Sequence, residues 1–173
     1  MDMSNHCGFT LYELLITLVI IAILTTMAVP GFGALIQRNR VASAAIDVAI
    51  SITYARGEAI RRGRGVAVCP AATGLQDGWT IEAGPPGGAL PTCGDSVNTT
   101  LLQHEALKQV ASPPAEPPFP AVQLSINRQG VSDSAWTSIA FQAAGCTAGA
   151  EGMRRTLTIT QLLEVDSVTG PCS

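Results

Sequence analysis

Charge is scarce in this chain. Asp, Glu, Lys and Arg make up only 13% of its 173 residues, and the 13 acids outnumber the 10 bases. A net charge of −3 argues against a general nucleic-acid binder, whose affinity rests on cations meeting phosphates. Histidine is scarcer still, with His6 and His104 only. No two cysteines stand at CxxC spacing, so neither a metal site nor any other cofactor is expected. The GxSxG, P-loop and HExxH patterns are missing, and no cysteine lies beside a plausible base, so an enzyme is not expected either. Pairs such as Ser132-Asp133 are turn chemistry. Lys and Arg are also missing before Phe9. With that, and with an apolar run too long for a secretory h-region, an ordinary cleaved signal peptide does not fit.

What the chain does have is that apolar run. From Phe9 to Val29 the one charge is Glu13. At about 1.5 Å per residue the segment makes a helix of roughly 31 Å, the thickness of a bilayer core. A carboxylate inside such a span must be paired or protonated, and usually marks a function. Pro30, which lacks an amide donor and clashes with the preceding turn, predicts a kink or local melting. Beyond it Val41, Ala45, Val48, Ile52, Ala55 and Ala59 recur at helical spacing, with Ala42, Asp47, Ser51 and Glu58 falling elsewhere. One helix is expected from Phe9 to about Arg62, ended by Gly63 and Gly65.

Arg56, Arg61, Arg62 and Arg64 cluster at its end. They suit either an anion or DNA patch or, better, the negative end of the helix dipole, with Glu58 among them. A second basic pair, Arg154 and Arg155, reads as a strand-start surface pair or a DNA contact.

Past residue 65 the periodicity shortens. Strands are expected at 65–69, 79–82, 122–127, 136–143 and 157–160, with a turn at Gln129-Gly130. Residues 84–94 read as a loop, 99–110 as either strand or helix, and 113–120 as a stiff proline-rich connector. Trp79, Phe119, Trp136 and Phe141 are expected in the core. The fold class is α+β: a long N-terminal transmembrane helix continues into an amphipathic helix packed on a β-rich domain. Cys69, Cys93, Cys146 and Cys172 follow the span and read as two disulfides in an oxidising compartment. Three pairings are open, and nearest neighbours are expected because each bond would then tie down a loop-rich stretch.

The run from Gly8 to Leu15, Gly-Phe-Thr-Leu-Tyr-Glu-Leu-Leu, resembles the leader junction of type IV pilins and type II secretion pseudopilins. The resemblance implies that a prepilin peptidase cuts between Gly8 and Phe9 and that Phe9 becomes N-methylated. It also implies that Glu13, the fifth mature residue, meets the N-terminal amine of a neighbouring subunit as a filament assembles. Tyr12 stands where an aliphatic residue is usual, and the leader lacks the usual basic residue. Within that superfamily, residues 55–62, then Val66 to Cys69 and Gly78-Trp79, resemble the GspH/FimT family.

The division implied is leader 1–8, membrane and filament-core helix 9–29, amphipathic helix 30–64 and periplasmic domain 65–173. The partners implied are other pilins or pseudopilins, the prepilin peptidase and inner-membrane lipids. Such a protein would be single-pass in a Gram-negative inner membrane, serving a type II secretion pseudopilus or a type IV pilus. Arg38 and Arg40 alone would place the body in the cytoplasm by the positive-inside rule. The cysteines and the resemblance place it in the periplasm. Some FimT-type members bind DNA for transformation through a Gly-Arg-x-Arg tail, which is the alternative function. Here 161–166 reads Gln-Leu-Leu-Glu-Val-Asp, two acids and no base.

Overall fold

The computed structural model describes residues 9–87, 89–111, 123–133 and 138–173. The sequence-expected leader and cleavage residue Gly8, the proline-rich connector, Phe119 and Trp136 lie outside them. Two compact units are present, Met1–Ile36 and Gln37–Ser173.

The first unit is helical. Helix α1, Leu11–Arg62, begins there and continues into the second unit without a break at Pro30. Thr10 starts it: the amide of Glu13 donates to Thr10 Oγ1 at 3.3 Å, and that of Leu14 to the Thr10 carbonyl at 3.2 Å. Thr10 and Glu13 thus stand at the two positions of a capping box, the acid lying in the first turn where the helix dipole favours it. From Leu11 to Leu24 the apolar side chains are exposed. Among the described residues no helix is long and apolar enough to cross a membrane.

The second unit is α+β. Strands β1 (Val66–Ala71), β2 (Gly74–Ala83), β3 (Thr99–His104) and β5 (Leu124–Ile126) form one antiparallel sheet in the order β3-β2-β1-β5. Strands β4 (Val110–Ala111), β6 (Ser138–Ala143), β7 (Arg154–Ile159) and β8 (Val165–Gly170) form a second, in the order β4-β6-β7-β8. The ambiguous stretch 99–110 is therefore strand β3, a turn and the start of β4. Proline is rare inside a sheet because it cannot donate to the ladder. Pro70 lies in β1 opposite Trp79 of β2, and among the described residues β5 pairs with β1 from Val66 to Val68. Strand β5 is not half-buried as its alternation suggests: Leu124, Ser125 and Ile126 are all buried.

The sequence-expected helical stripe forms the core. Val41, Ala45, Val48, Ile52, Ala55 and Ala59 join one cluster with Val66, Val68, Trp79 and Ile81 of the first sheet and Phe141, Leu157 and Ile159 of the second.

Candidate functional site

Two polar residues of α1 that helical spacing assigns away from the stripe are buried. Ser51 is 2% exposed, and its Oγ accepts the Trp79 Nε1–H at 2.9 Å. The Trp79 indole stacks on the His104 ring, centroids 3.9 Å apart and 6° from parallel. His104 Nε2 stands 3.7 Å from Asp47 Oδ2, one turn of α1 before Ser51. Helix α1, central strand β2 and edge strand β3 are thereby locked together through four side chains. The cause is local. A buried indole must satisfy its N–H, and Ser51 is the acceptor α1 presents there.

Glu58 is the other. Its carboxylate accepts from Arg61 Nη2 at 2.7 Å and from Arg62 Nε. These hydrogen bonds, that from Arg61 foremost, hold the Glu58 carboxyl below the usual carboxylate range against the opposing effect of burial. The same bond raises the Arg61 guanidinium further. Arg64 donates to the Gly84 carbonyl at 3.1 Å, tying the end of the helix to the far end of β2. Of the sequence-proposed anion contacts, Arg61, Arg62 and Arg64 are thus gathered at one helix end. Arg154 and Arg155 lie on β7, in the other sheet, where Arg155 Nη1 donates to Ser167 Oγ at 3.2 Å. The Glu58 pairing was present in the sequence as an acid followed by bases at i+3 and i+4.

Disulfides join Cys69 to Cys93 and Cys146 to Cys172. They close loops of 24 and 26 residues, each contributing about 3 kcal/mol on a chain-entropy account. The first anchors the 91–98 loop to β1, and two polar side chains, buried Glu82 and half-buried Gln123, finish the task. Glu82 accepts from the Gly94 amide at 3.1 Å and from Asn98 Nδ2 at 3.0 Å. Gln123 accepts the Cys93 amide at 2.8 Å and donates to the Pro91 carbonyl at 2.8 Å. The second joins the loop after β6 to the C-terminal residues, where the Cys172 amide also donates to the Ala150 carbonyl at 3.0 Å. Sequence reading missed Glu82 and Gln123, because their partners lie on other elements. Among the described residues no cluster of His, Cys, Asp and Glu could hold a metal ion.

Known families match both parts of this arrangement. The prokaryotic N-terminal methylation motif matches residues 3–29. The family described as type II transport protein GspH matches residues 44–162, most of the chain. The chain belongs to the GspH family. That match begins inside the buried stripe of α1 and ends beyond β7, so it takes in Ser51, Glu58, Trp79 and the first disulfide. Two crystal structures of the type IV minor pilin FimU of Pseudomonas aeruginosa strain PAO1 share the fold. One, in space group P21, is 22% identical with a TM-score of 0.52, covering 75% of this chain and 88% of that one. The other, in space group P65, is 21% identical with a TM-score of 0.50, covering 73% and 90%. None of the curated proteins matches. This GspH-family chain is thus pilin-like in fold and carries the methylation motif at its start. The matched family is described as a type II transport protein, and the similar structures as a type IV minor pilin.

Proposed function

We propose that this protein is a minor pilin-like subunit of a type II secretion pseudopilus or a type IV pilus. The observation that carries the reading is one helix with two unlike halves. Its first part lies in the methylation-motif match and exposes apolar residues from Leu11 to Leu24, while its second part lies in the GspH match and is buried on the β domain. A surface so apolar needs lipid or protein around it. On this reading a prepilin peptidase cuts between Gly8 and Phe9, and Phe9 is methylated. Residues 9–29 anchor the subunit in the inner membrane, with 65–173 periplasmic. Glu13 then pairs with the terminal amine of a neighbour when the helix moves into a filament.

DNA capture has less support. Arg61 and Arg62 share one carboxylate, which spends their charge locally. Residues 161–166 hold Glu164 and Asp166 where a basic tail would be needed.

The test is Gly8→Ala in cells that make the filament machinery. The substitution should leave the chain at its precursor size, while the wild-type chain is shortened and recovered with the pilin fraction. Wild-type protein that keeps its leader overturns the proposal. Deletion followed by assays of exoprotein secretion, twitching and DNA uptake assigns the machine.

A further inference from the structure

The exposed apolar side chains of α1 give way to a cationic rim. Phe32, Leu35 and Ile36 are 60%, 52% and 48% exposed, and no polar residue stands between Thr26 and Gln37. Arg38 and Arg40 follow at once, both exposed. From Ile36 to Arg40 the helix thus passes from apolar to cationic within about 6 Å of rise. The β domain adds to the same place. Arg38 reaches the β6–β7 loop, where its Nε would lie 3.3 Å from a Cβ on Gly152. That loop is a fixed wall. The Cys146–Cys172 disulfide ties it to the C-terminal residues, the Gly149 amide donates to the Cys172 carbonyl at 2.9 Å, and the Ala150 amide to the Thr147 carbonyl at 3.0 Å. Strand β7 leaves the loop with Arg154 and Arg155. Arg155 stands opposite the core residue Phe141, so it lies on the face of the sheet that α1 covers. Residues 37–40 and 145–155 together hold four of the chain's 10 bases and one of its 13 acids, Glu151. Among the described residues no carboxylate pairs with Arg38, Arg40 or Arg155, whereas Arg61 and Arg62 share Glu58.

We propose that Arg38, Arg40 and Arg155 form a phosphate-binding rim that holds the body of the protein against the anionic headgroups of a membrane. The inference rests on the membrane-anchored reading above and assigns that anchor a lipid class. Two features select a lipid surface as the occupant. The cations stand directly beyond an exposed apolar stretch, which is the order of environments a chain meets on leaving a bilayer: hydrocarbon first, then phosphate. Arginine side chains at that boundary lay their stems along apolar surface and keep their heads at the headgroups. The second feature is charge. A guanidinium matches phosphate oxygens in pairs, and the charge of these three is spent on no carboxylate among the described residues. A zwitterionic headgroup carries a cation of its own and gains less at such a rim than an anionic one. A basic residue near an anionic surface strengthens binding by about five-fold. Arg38 and Arg40 oppose a periplasmic body on the positive-inside count, and a contact with the periplasmic leaflet gives them a use on that side.

The test takes the full chain in an uncharged detergent, offers it equimolar phosphatidylglycerol and phosphatidylcholine, and counts the retained lipids by native mass spectrometry. The wild type should retain phosphatidylglycerol over phosphatidylcholine by about five-fold or more. Arg38→Gln together with Arg40→Gln should cut that preference by about five-fold, and so should Arg155→Gln. Arg38→Lys together with Arg40→Lys, which keeps the charge, should retain most of it. Arg128→Gln, on the exposed turn after β5, should leave it unchanged. Equal retention of the two lipids, or a preference that Arg128→Gln lowers as far as the rim variants do, overturns the rim and leaves the anchored reading standing. So does a preference abolished by inorganic phosphate or by duplex DNA but not by chloride at equal ionic strength, which marks a free-anion or nucleic-acid site. A wild-type chain that is soluble when cells are broken without detergent overturns the anchored reading and this inference with it.

Discussion

Trp79 Nε1–H donates to Ser51 Oγ across a gap of 28 residues in sequence, and both side chains are buried to 2% exposure. The bond fixes the rotation of the amphipathic helix over the first sheet. Losing the acceptor leaves a buried N–H without a partner, which costs roughly 1–3 kcal/mol. Ser51→Ala should lower stability by about that amount, read as a fall in Tm of the full chain in detergent. Thr53→Ala, on the exposed side of the same helix, should stay within about 0.5 kcal/mol.

Glu58 makes acid stability dependent on one carboxylate. Its folded-state pKa lies below the ordinary carboxylate value, because Arg61 and Arg62 hydrogen-bond the charged form. The stabilisation is therefore present above the unfolded-state value and is lost as pH falls through the folded-state one. In a series of unfolding curves from neutral to acid pH, the wild type should lose stability more steeply than Glu58→Gln below the usual carboxylate range. Parallel profiles for the two proteins would contradict the assignment.

Gly78 should be intolerant for a reason that neighbouring glycines do not share. It holds φ +102°, and a Cβ there would lie 2.5 Å from the His104 carbonyl oxygen. Gly87 has φ +120°, but nothing lies within 4 Å of its missing Cβ. Both alanine variants strain the backbone, while only Gly78→Ala must also push β3 away from β2 and disturb the Trp79–His104 stack. Its loss should exceed that of Gly87→Ala by roughly 1–3 kcal/mol, the usual scale for overpacking. The difference in denaturant midpoint between the two variants reads it.

The stripe from Val41 to Ala59 was legible because burial of a helix face leaves a period that survives without knowledge of the partner. Ser51 and Glu58 were not, since they sit on the flanks of that stripe. Ser51 is buried for the sake of a tryptophan on β2, and Glu58 is held by two arginines that a spacing rule could have supplied. Strand β8 went unread because Val-Asp-Ser-Val-Thr-Gly puts Val168 at 65% exposure on a sheet edge and buries almost nothing. Pro70 hid the end of β1, as proline usually signals a stop, yet the strand runs on to Ala71 beside β2. The arginine rim was legible only in pieces. Arg38 and Arg40 lie on one element and Arg155 on another, and the approach of Arg38 to Gly152 has no sequence signature.

The chemistry at the start of the chain tests the central claim most directly. Mass spectrometry of the wild-type protein from sheared filaments or the membrane fraction should find an N-terminal peptide that begins at Phe9 and carries one extra methyl group. A peptide that still begins at Met1, in cells whose other pilin-type subunits are matured, would contradict the account.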